Sequence, residues 1–542
     1  MNKKQKTSSG QSVDLMEAGA HFDSRLATAI GKFIIEAGLG QDVLNLTSFK
    51  KMLQVASNKD QVAIPTYESI LQEELKQTEH RAIELKEEWK KSGCSLIMDS
   101  WKSQCGKRSF VSASVHCSKG MYFLRSIDVS GITEDMDELV LVFARVVDDV
   151  GARNIVQVIT NDPSPHMRMA WHYVQKKHDH SFFAPLCADF CINLLLEKIA
   201  ALEHVSEVIK KAKEITRFIY GHTLPMELKG TYILEEILSS SYLKFVAVFI
   251  TLERLVSARE NLVHMFSSPE WVSSGWASQG LFRHIRGIVK TDDVFWCAAA
   301  DVLKVTKPIV DVLFKLEFED CPMGVLYDTM DSAKEEIKRN LGDNHGPYWD
   351  LVDRIWDSYL HSPLHVAGHL LNPRVFYKDP SHDDPEVRSG IEACVTGMAK
   401  GRYDPGKLEA QIEVYKGKSG TFGSDSASQQ IVEIPQVDWW AAHGTGTPEL
   451  QSFATRVLSQ TCFGTERYNM NWQVSEEVHE TRPYIIQELY RGLEYAHYNN
   501  CFASAVPFIC GLSGDQFDKL GRQLGSDWLG YPPHTEDIVI ET

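Results

Sequence analysis

The sequence predicts an α/β fold plus an all-α part: a mixed sheet interrupted by a large helical insertion domain. Two observations predict it. Between residues 94 and 159, short β-prone runs are followed by an amphipathic segment and a further apolar run. From about residue 200 to 400, the apolar residues recur with the period of a helix. A sizeable core is expected, because 43% of the 542 residues are hydrophobic.

The first clear element is a long helix over residues 67–91, preceded by an N-terminal region, 1–66, that is predicted to be helical and partly disordered. Its apolar stripe consists of Leu71, Leu75, Thr78, Ala82, Leu85 and Trp89. Such a stripe fits either a coiled-coil partner or an amphipathic helix that packs on its own domain.

Three β-prone runs follow, CSLIMDSW (94–101), FVSASVHC (110–117) and MYFLRSID (121–128), and short polar connections predict antiparallel pairing. A helix bearing Leu139 and Phe143 comes next, then IVQVI (155–159), an apolar run typical of a strand buried on both faces. The order of three strands, helix, strand and helix is that of a ribonuclease H-like domain, whose fourth strand is parallel to its first.

The rest of the chain divides by composition. Residues 67–200 form the first part of the core, and 201–415 are predicted to be a helical insertion domain. Residues 416–430, rich in Gly and Ser, predict a flexible loop. Residues 511–542 predict an acidic disordered tail.

Charge and cysteine usage exclude several classes of protein. The 56 Lys and Arg residues against 73 Asp and Glu give a formal net charge of −17, which disfavours polybasic proteins of nucleic acid or membrane surfaces but leaves a local basic groove open. No apolar run reaches the ~20 residues of a membrane helix, and no secretory signal is visible. The eleven cysteines contain no CxxC pair, so neither a disulfide framework nor a Cys-pair zinc finger is expected. The prediction is a protein of the nucleus or cytoplasm.

Five stretches resemble plant hAT-superfamily transposase-like proteins: CSLIMDSW, SKGMYFLRSIDVSG, MFSSPEWVSSGWA, PLHVAGHLLNPRVFY and DWWAAHGTGTPELQSFATRVLSQTC. The resemblance implies a ribonuclease H-like core split by a helical insertion, with residues 431–510 as the C-terminal dimerisation region that completes the core. It also implies a nuclear location and a homodimer, or a heterodimer with a related hAT-type protein. Relatives often carry a BED-type zinc finger before the core, and none is expected here because no Cys pair precedes Cys94.

The resemblance further implies a catalytic triad of acids that would hold two Mg²⁺ ions for phosphoryl transfer. The first position corresponds to Asp99, in an apolar strand, which fits either a metal ligand or a strand-end residue that caps a turn. The second corresponds to Asn161, a neutral and weaker ligand, with Asp162 next to it. The third corresponds to Glu466, although an alignment on Trp472 places Asn469 there instead.

A further departure lies at Cys187, where the family carries a His three residues later and this chain has Phe190. We expect Cys187, Phe190 and Cys191 to pack in the core. Together these departures predict a transposase-derived protein without strand-transfer chemistry and without a cofactor. The alternative is an active Mg²⁺-dependent transposase or nuclease using Asp99, Asp162 and Glu466. Non-specific DNA binding without catalysis is a third reading.

Dimerisation is assigned by the resemblance to an apolar set near the C-terminus. These residues are Trp439, Trp440, Leu450, Phe453, Val457, Leu458 and Trp472. Packing within the same chain is the alternative for each of them. Two other motifs are expected to be structural: HGTGTPEL (443–450) lacks the GK[ST] of a phosphate loop, and Pro363 interrupts the row of His361, His365 and His369, which predicts a helix start rather than a zinc site.

Overall fold

The computed structural model describes residues 24–57, 64–278, 280–378, 385–399, 402–468, 470, 472–480 and 484–504. The chain divides into two compact units. The first unit comprises residues 1–85, 122–125 and 471–505, and the second comprises 86–121, 126–470 and 506–542. The predicted acidic tail, 511–542, and residues 1–23 of the predicted N-terminal region lie outside the described residues.

The sheet contains β1 (Cys94–Lys102), β2 (Ser109–Cys117), β3 (Gly120–Asp128) and β4 (Ile155–Ile159), in the spatial order β3-β2-β1-β4. Strand β1 pairs antiparallel with β2, with Asp99 opposite Ser112. It pairs parallel with β4, with Ile97 opposite Ile159. The four predicted strands and the parallel direction of the fourth are therefore confirmed.

The α-helices, in chain order, are α1 (Ser24–Glu36), α2 (Thr47–Ser57), α3 (Tyr67–Ser92), α4 (Met136–Val150), α5 (Pro165–Lys177), α6 (Ala188–Ala200), α7 (Glu203–Tyr220), α8 (Thr223–Tyr232), α9 (Lys244–Ser257), α10 (Arg259–Met265), α11 (Pro269–Ser273), α12 (Gly280–Thr291), α13 (Asp293–Glu317), α14 (Leu326–Leu341), α15 (Gly346–Ile355), α16 (Pro363–Leu371), α17 (Pro373–Phe376), α18 (Pro385–Ala399), α19 (Pro405–Lys416), α20 (Asp425–Glu433), α21 (Gln436–His443), α22 (Pro448–Leu458), α23 (Gln473–Glu480) and α24 (Tyr484–Ser504). Within the described ranges, none of these helices combines the length and apolar character needed to cross a bilayer.

The described part of 203–416 contains helices and turns but no strand, as the periodicity predicts. Helices α6, α7, α9 and α13 contribute to one apolar core of the second unit, in which Trp271 and Phe266 are completely buried. Helices α16, α18, α19, α21 and α22 form another core in the same unit together with Val156 of β4. The helical half of this unit is thus stabilised mainly by burial of apolar side chains.

The prediction of a loop at 416–430 is wrong in its secondary structure. A short 3-10 helix spans Gly420–Gly423, and α20 begins at Asp425. Phe422 is buried against Trp439, with the two rings stacked at 5.7 Å. The hydroxyl of Ser424 accepts a hydrogen bond from the backbone N–H of Ala427 and so caps α20. The buried ring of Phe422 and the cap formed by Ser424 therefore give a regular structure to a segment whose composition suggests a linker.

In the first unit, the stripe of α3 faces the chain's own interior, because Leu71, Ala82 and Leu85 are buried. A Cβ at Gly492 of α24 would lie only 3.1 Å from Leu71 Cδ2, so these helices approach closely. The side chain of Asn499 accepts from the backbone N–H of Phe123 and donates to its carbonyl, each at 3.0 Å. The amphipathic alternative for α3 is confirmed over the coiled-coil alternative.

In the second unit, residues 458–465, here called the closing segment, run along β1 and β4. Gln157 of β4 donates to the carbonyl of Thr461 at 2.6 Å, and Ser95 of β1 donates to Gln460 Oε1 at 2.9 Å. The backbone N–H of Ala188 donates to the carbonyl of Cys462 at 2.8 Å. The sheet is therefore completed by residues that lie 304 positions later in the chain than Gln157.

Gly93 makes the tight turn between α3 and β1. Its φ is +71°, and a Cβ there would lie 2.5 Å from Val156 Cγ2. We expect Gly93→Ala to lower the free energy of unfolding by about 2 kcal/mol, because left-handed strain adds to overpacking. Gly106→Ala is the matched control, since Gly106 has a φ of +68° and open space around it. Equal losses in urea unfolding for the two variants would contradict the packing part of this explanation.

Candidate functional site

Asp99 lies inside β1 and only 3% of its surface is exposed. Its Oδ2 accepts two hydrogen bonds of 2.6 Å, from the backbone N–H and from the hydroxyl of Thr465. Its Oδ1 is buried and meets no hydrogen-bond partner in the described part of the chain. Gly464 permits this approach, because a Cβ there would lie 3.0 Å from Asp99 Oδ2. Asp99 therefore binds the closing segment through Thr465.

Asp189, in the first turn of α6, is a second buried acid, with no exposed surface. Its Oδ2 accepts a hydrogen bond of 2.7 Å from the Tyr242 hydroxyl, whereas its Oδ1 finds no hydrogen-bond partner within the described ranges. Burial raises the pKa of Asp189 to about 7, although the positive charge of Arg467 and the Tyr242 hydrogen bond lower it. The charges of Glu466 and Asp99 raise it again, so these acids share one electrostatic environment.

Burial also raises the pKa of Asp99 to about 7, against the lowering effect of the Thr465 hydrogen bonds and with a further increase from Glu466. Two neighbouring buried carboxyl groups thus titrate near neutral pH. This is the expected result when desolvation outweighs the available hydrogen bonds.

Asn161 connects the ends of β1 and β4. Its Oδ1 accepts from the backbone N–H of Ser100 at 2.7 Å, and its Nδ2 donates to the Ser100 carbonyl at 3.2 Å. The same Nδ2 donates to Glu466 Oε1 at 2.9 Å. Because the N–H of Ser100 can only donate, the amide orientation is fixed, and an N–H group points at Glu466.

Asp162 lies in the turn before α5 and is half-buried. Its Oδ1 accepts from the backbone N–H of Ser164 at 2.9 Å, and its own N–H donates to Thr160 Oγ1 at 3.2 Å. The carboxylate is therefore used to hold its own turn. The structure brings Asp99, Asn161 and Glu466 to the same end of the sheet.

Three residues of this cluster are absent from the sequence prediction: Asp189, Thr465 and Arg467. Asp189 has a visible signal, an acid within the apolar run CADFCINLLL. Arg467 is 9% exposed and its guanidinium lies over the Phe463 ring, 4.1 Å from the centroid. Nothing in its local sequence indicates that its charge would act on Asp189. The predicted burial of Cys187 and Cys191 is confirmed, and Phe190 packs partly buried against the same core.

The donor set does not fit the two Mg²⁺ ions that the resemblance implies. Mg²⁺ requires oxygen ligands, whereas Asn161 presents an N–H donor toward Glu466 and Asp162 is bound within its own turn. Arg467 places a fixed positive charge beside the acids, where a cation would otherwise balance them. Across the part of the chain that is described, no group of three or more His, Cys, Asp or Glu side chains is arranged to hold a metal ion.

The histidine row begins where the sequence predicts a helix start. Helix α16 begins at Pro363, and the Ser362 hydroxyl accepts from the N–H of Leu364. His361 precedes the helix with an extended backbone, so it does not share a helical face with His365. Burial lowers the pKa of His365 to about 3 and so keeps its imidazole neutral. His369 is also buried. The prediction that the helix starts near Pro363 is confirmed.

The apolar residues that the resemblance assigns to dimerisation are mostly internal. At most 1% of each of the following is exposed: Trp439, Trp440, Leu450, Phe453, Val457 and Leu458. Trp472, in the first unit, is half-buried, with its ring 4.9 Å from that of Tyr498. Packing within the chain accounts for the burial of the first six. The turn predicted in HGTGTPEL is present as the 3-10 helix Gly444–Gly446.

Comparison with known protein families gives one match. Residues 63–215 match a domain of unknown function, DUF659, which is a family of plant hAT-like transposase-related domains. No curated protein matches the chain. The matched segment contains all four strands of the sheet together with Asp99, Asn161 and Asp189. In residues 63–215, the chain is therefore similar to the hAT-like transposase-related domains of this family.

Proposed function

We propose that this chain is a domesticated, transposase-derived protein whose ribonuclease H-like core no longer performs strand transfer and which acts through protein assembly. The strand order β3-β2-β1-β4, with β4 parallel to β1, supports the ribonuclease H-like assignment. One observation is the main support for the loss of strand-transfer chemistry. The side chain of Asn161 is committed to hydrogen bonds with Ser100 and Glu466, at the position where a metal-binding acid is expected.

Phosphoryl transfer by two cations needs several ionised oxygens directed at one point. Burial raises the pKa of Asp99 and that of Asp189 to about 7. Asn161 supplies a donor instead of a negative oxygen. Hydrogen bonds from Thr465 and Tyr242 and the charge of Arg467 support part of the cluster, which favours a structural role for these acids.

The remaining parts of the proposal come from the family similarity. They are a nuclear location, assembly as a homodimer or with a finger-bearing relative, and association with DNA without sequence specificity. Light scattering across a dilution series tests assembly. Binding to DNA through phosphates is tested by its salt dependence, since log K should fall steeply with log salt.

The decisive experiment compares the wild type with Asn161→Asp in calorimetric titrations with Mn²⁺. We expect no saturable binding to the wild type, and a gain of binding in Asn161→Asp, because a carboxylate then stands beside Glu466 and near Asp99. In EDTA the variant should unfold at lower urea concentration, since two like charges become neighbours. Asn344→Asp, at an exposed position, is the matched control and should bind no Mn²⁺.

The rival proposal is an active Mg²⁺-dependent nuclease that uses Asp99, Asp162 and Glu466. It requires saturable Mn²⁺ binding by the wild type, loss of this binding in Asp99→Asn, and nicking of supercoiled DNA. That combination of results would overturn the proposed function.

A further inference from the structure

Three arginines meet at the start of the parallel pair β1 and β4, at the opposite end of these strands from Asn161. The guanidinium of Arg456 donates from Nη2 to the carbonyl of Arg153 at 3.1 Å, and Arg402 Nη2 donates to the same carbonyl at 3.0 Å. One backbone oxygen thus holds two cationic groups close together. The side chains of Arg153 and Arg402 are exposed. We call these three residues the arginine cluster.

Arg456 is buried, with 3% of its surface exposed, and its Nε and Nη1 have no hydrogen-bond partner among the residues that the structure describes. Burial lowers the pKa of Arg456 to about 10, and the neighbouring charge of Arg402 lowers it as well, so the group remains charged at neutral pH. A buried charge without a partner of opposite sign is strongly unfavourable. A compensating anion would therefore stabilise the buried Arg456 more than it would stabilise an exposed arginine.

Among the residues that the structure describes, no Asp or Glu lies within ion-pair distance of Arg153, Arg402 or Arg456. The lack of an acidic partner is unexpected in this chain, because its 73 Asp and Glu residues outnumber its 56 Lys and Arg residues. Two guanidinium groups held at one carbonyl without a carboxylate partner in such a protein indicate a site for an external anion, and the exposed side chain of Arg153 starts from the same place.

We propose that the arginine cluster binds a phosphate group, either inorganic phosphate or a backbone phosphate of nucleic acid. Arg153 and Arg402 contact the phosphate oxygens from the surface, and Arg456 adds its positive charge from beneath them. Planar guanidinium groups match phosphate oxygens in pairs, which favours phosphate over a monovalent anion such as chloride. Asp99 lies five residues beyond Cys94 on β1, about 16 Å away, so this site is separate from the acid cluster.

The test is a calorimetric titration of the full chain, in chloride buffer, with inorganic phosphate and with a short DNA duplex of random sequence. The double variant Arg153→Gln, Arg402→Gln removes the two exposed guanidinium groups and leaves Arg456 in place. The charge-matched control is Arg283→Gln, Arg339→Gln, two exposed arginines elsewhere in the second unit. We expect the cluster variant to lose about tenfold or more in affinity, and the control to stay within about twofold of the wild type.

The two titrants distinguish the sources of the phosphate. Loss for inorganic phosphate alone supports a site for a free anion, and loss for the duplex supports contact with a nucleic acid backbone. If neither titrant binds the wild type saturably, or if the control variant weakens binding as much as the cluster variant, the proposal is wrong. Circular dichroism of all three proteins verifies that the substitutions leave the fold intact.

Discussion

Trp440→Ala is expected to lower the free energy of unfolding by about 3–5 kcal/mol, the range typical of a large aromatic side chain removed from a core. Trp440 has no exposed surface, and its ring centroid lies 4.9 Å from that of Tyr415. Its Nε1 donates to the carbonyl of Leu371 at 2.8 Å. The truncation therefore leaves both a cavity and a buried acceptor without a donor. Urea unfolding followed by far-UV circular dichroism measures the loss.

This variant also separates packing within the chain from dimerisation. Val432→Ala is the control, because 71% of Val432 is exposed and its loss should change stability by less than about 0.5 kcal/mol. Light scattering on both variants reports assembly. If Trp440→Ala dissociated a dimer while the unfolding curve stayed that of the wild type, Trp440 would belong to an interface and the explanation from packing would fail.

Asp189→Asn is expected to raise the free energy of unfolding by about 2–4 kcal/mol at pH 8.5 and to change it little at pH 4. In the folded chain burial raises the pKa of Asp189 from its ordinary 3.8 to about 7. The folded state therefore holds the proton more tightly than the unfolded state. The contribution of this group to stability is full below about pH 4 and is lost as the pH rises through 7. Asparagine does not ionise, so the variant avoids this loss of stability at high pH.

The substitution preserves the local hydrogen bond, because the amide oxygen of asparagine still accepts from the Tyr242 hydroxyl, now 2.7 Å from Asp189 Oδ2. Asp343→Asn, at an exposed position, serves as the control and should shift the unfolding curves equally at both pH values. Stability curves for Asp189→Asn and wild type that remain parallel from pH 4 to pH 8.5 would show that Asp189 does not titrate in this range.

The sheet could be predicted from the sequence because its signals are local. Each strand is a short β-prone run, and the four runs occur in an order that few topologies accommodate. The helix start at Pro363 is also a local signal. The segment 416–430 was not predictable, because its order depends on Phe422 packing against Trp439, a contact that composition does not reveal.

The candidate site was likewise predictable where its signals are local and unpredictable where they are not. The resemblance places Asn161 where an acid is expected, and this expectation depends only on the residue type next to a recognisable strand. The sequence does not show that Thr465 would donate two hydrogen bonds to Asp99, because these residues are 366 positions apart. The apolar positions around Trp440 illustrate a further limit. An apolar face has the same pattern whether it packs inside the chain or against another subunit.

The position of the closing segment has a consequence for biosynthesis. The strand partners of β1 leave the ribosome early, but Thr461, which receives the hydrogen bond of Gln157, follows 304 residues later. At roughly 5–20 residues per second, about 15–60 s of translation separate the two. During that interval Gln157 and Ser95 of the nascent sheet lack the hydrogen-bond partners in the closing segment, and Val156 lacks the helices that pack on it. Co-translational chaperone binding should therefore begin after β4 is made and end once the closing segment has emerged.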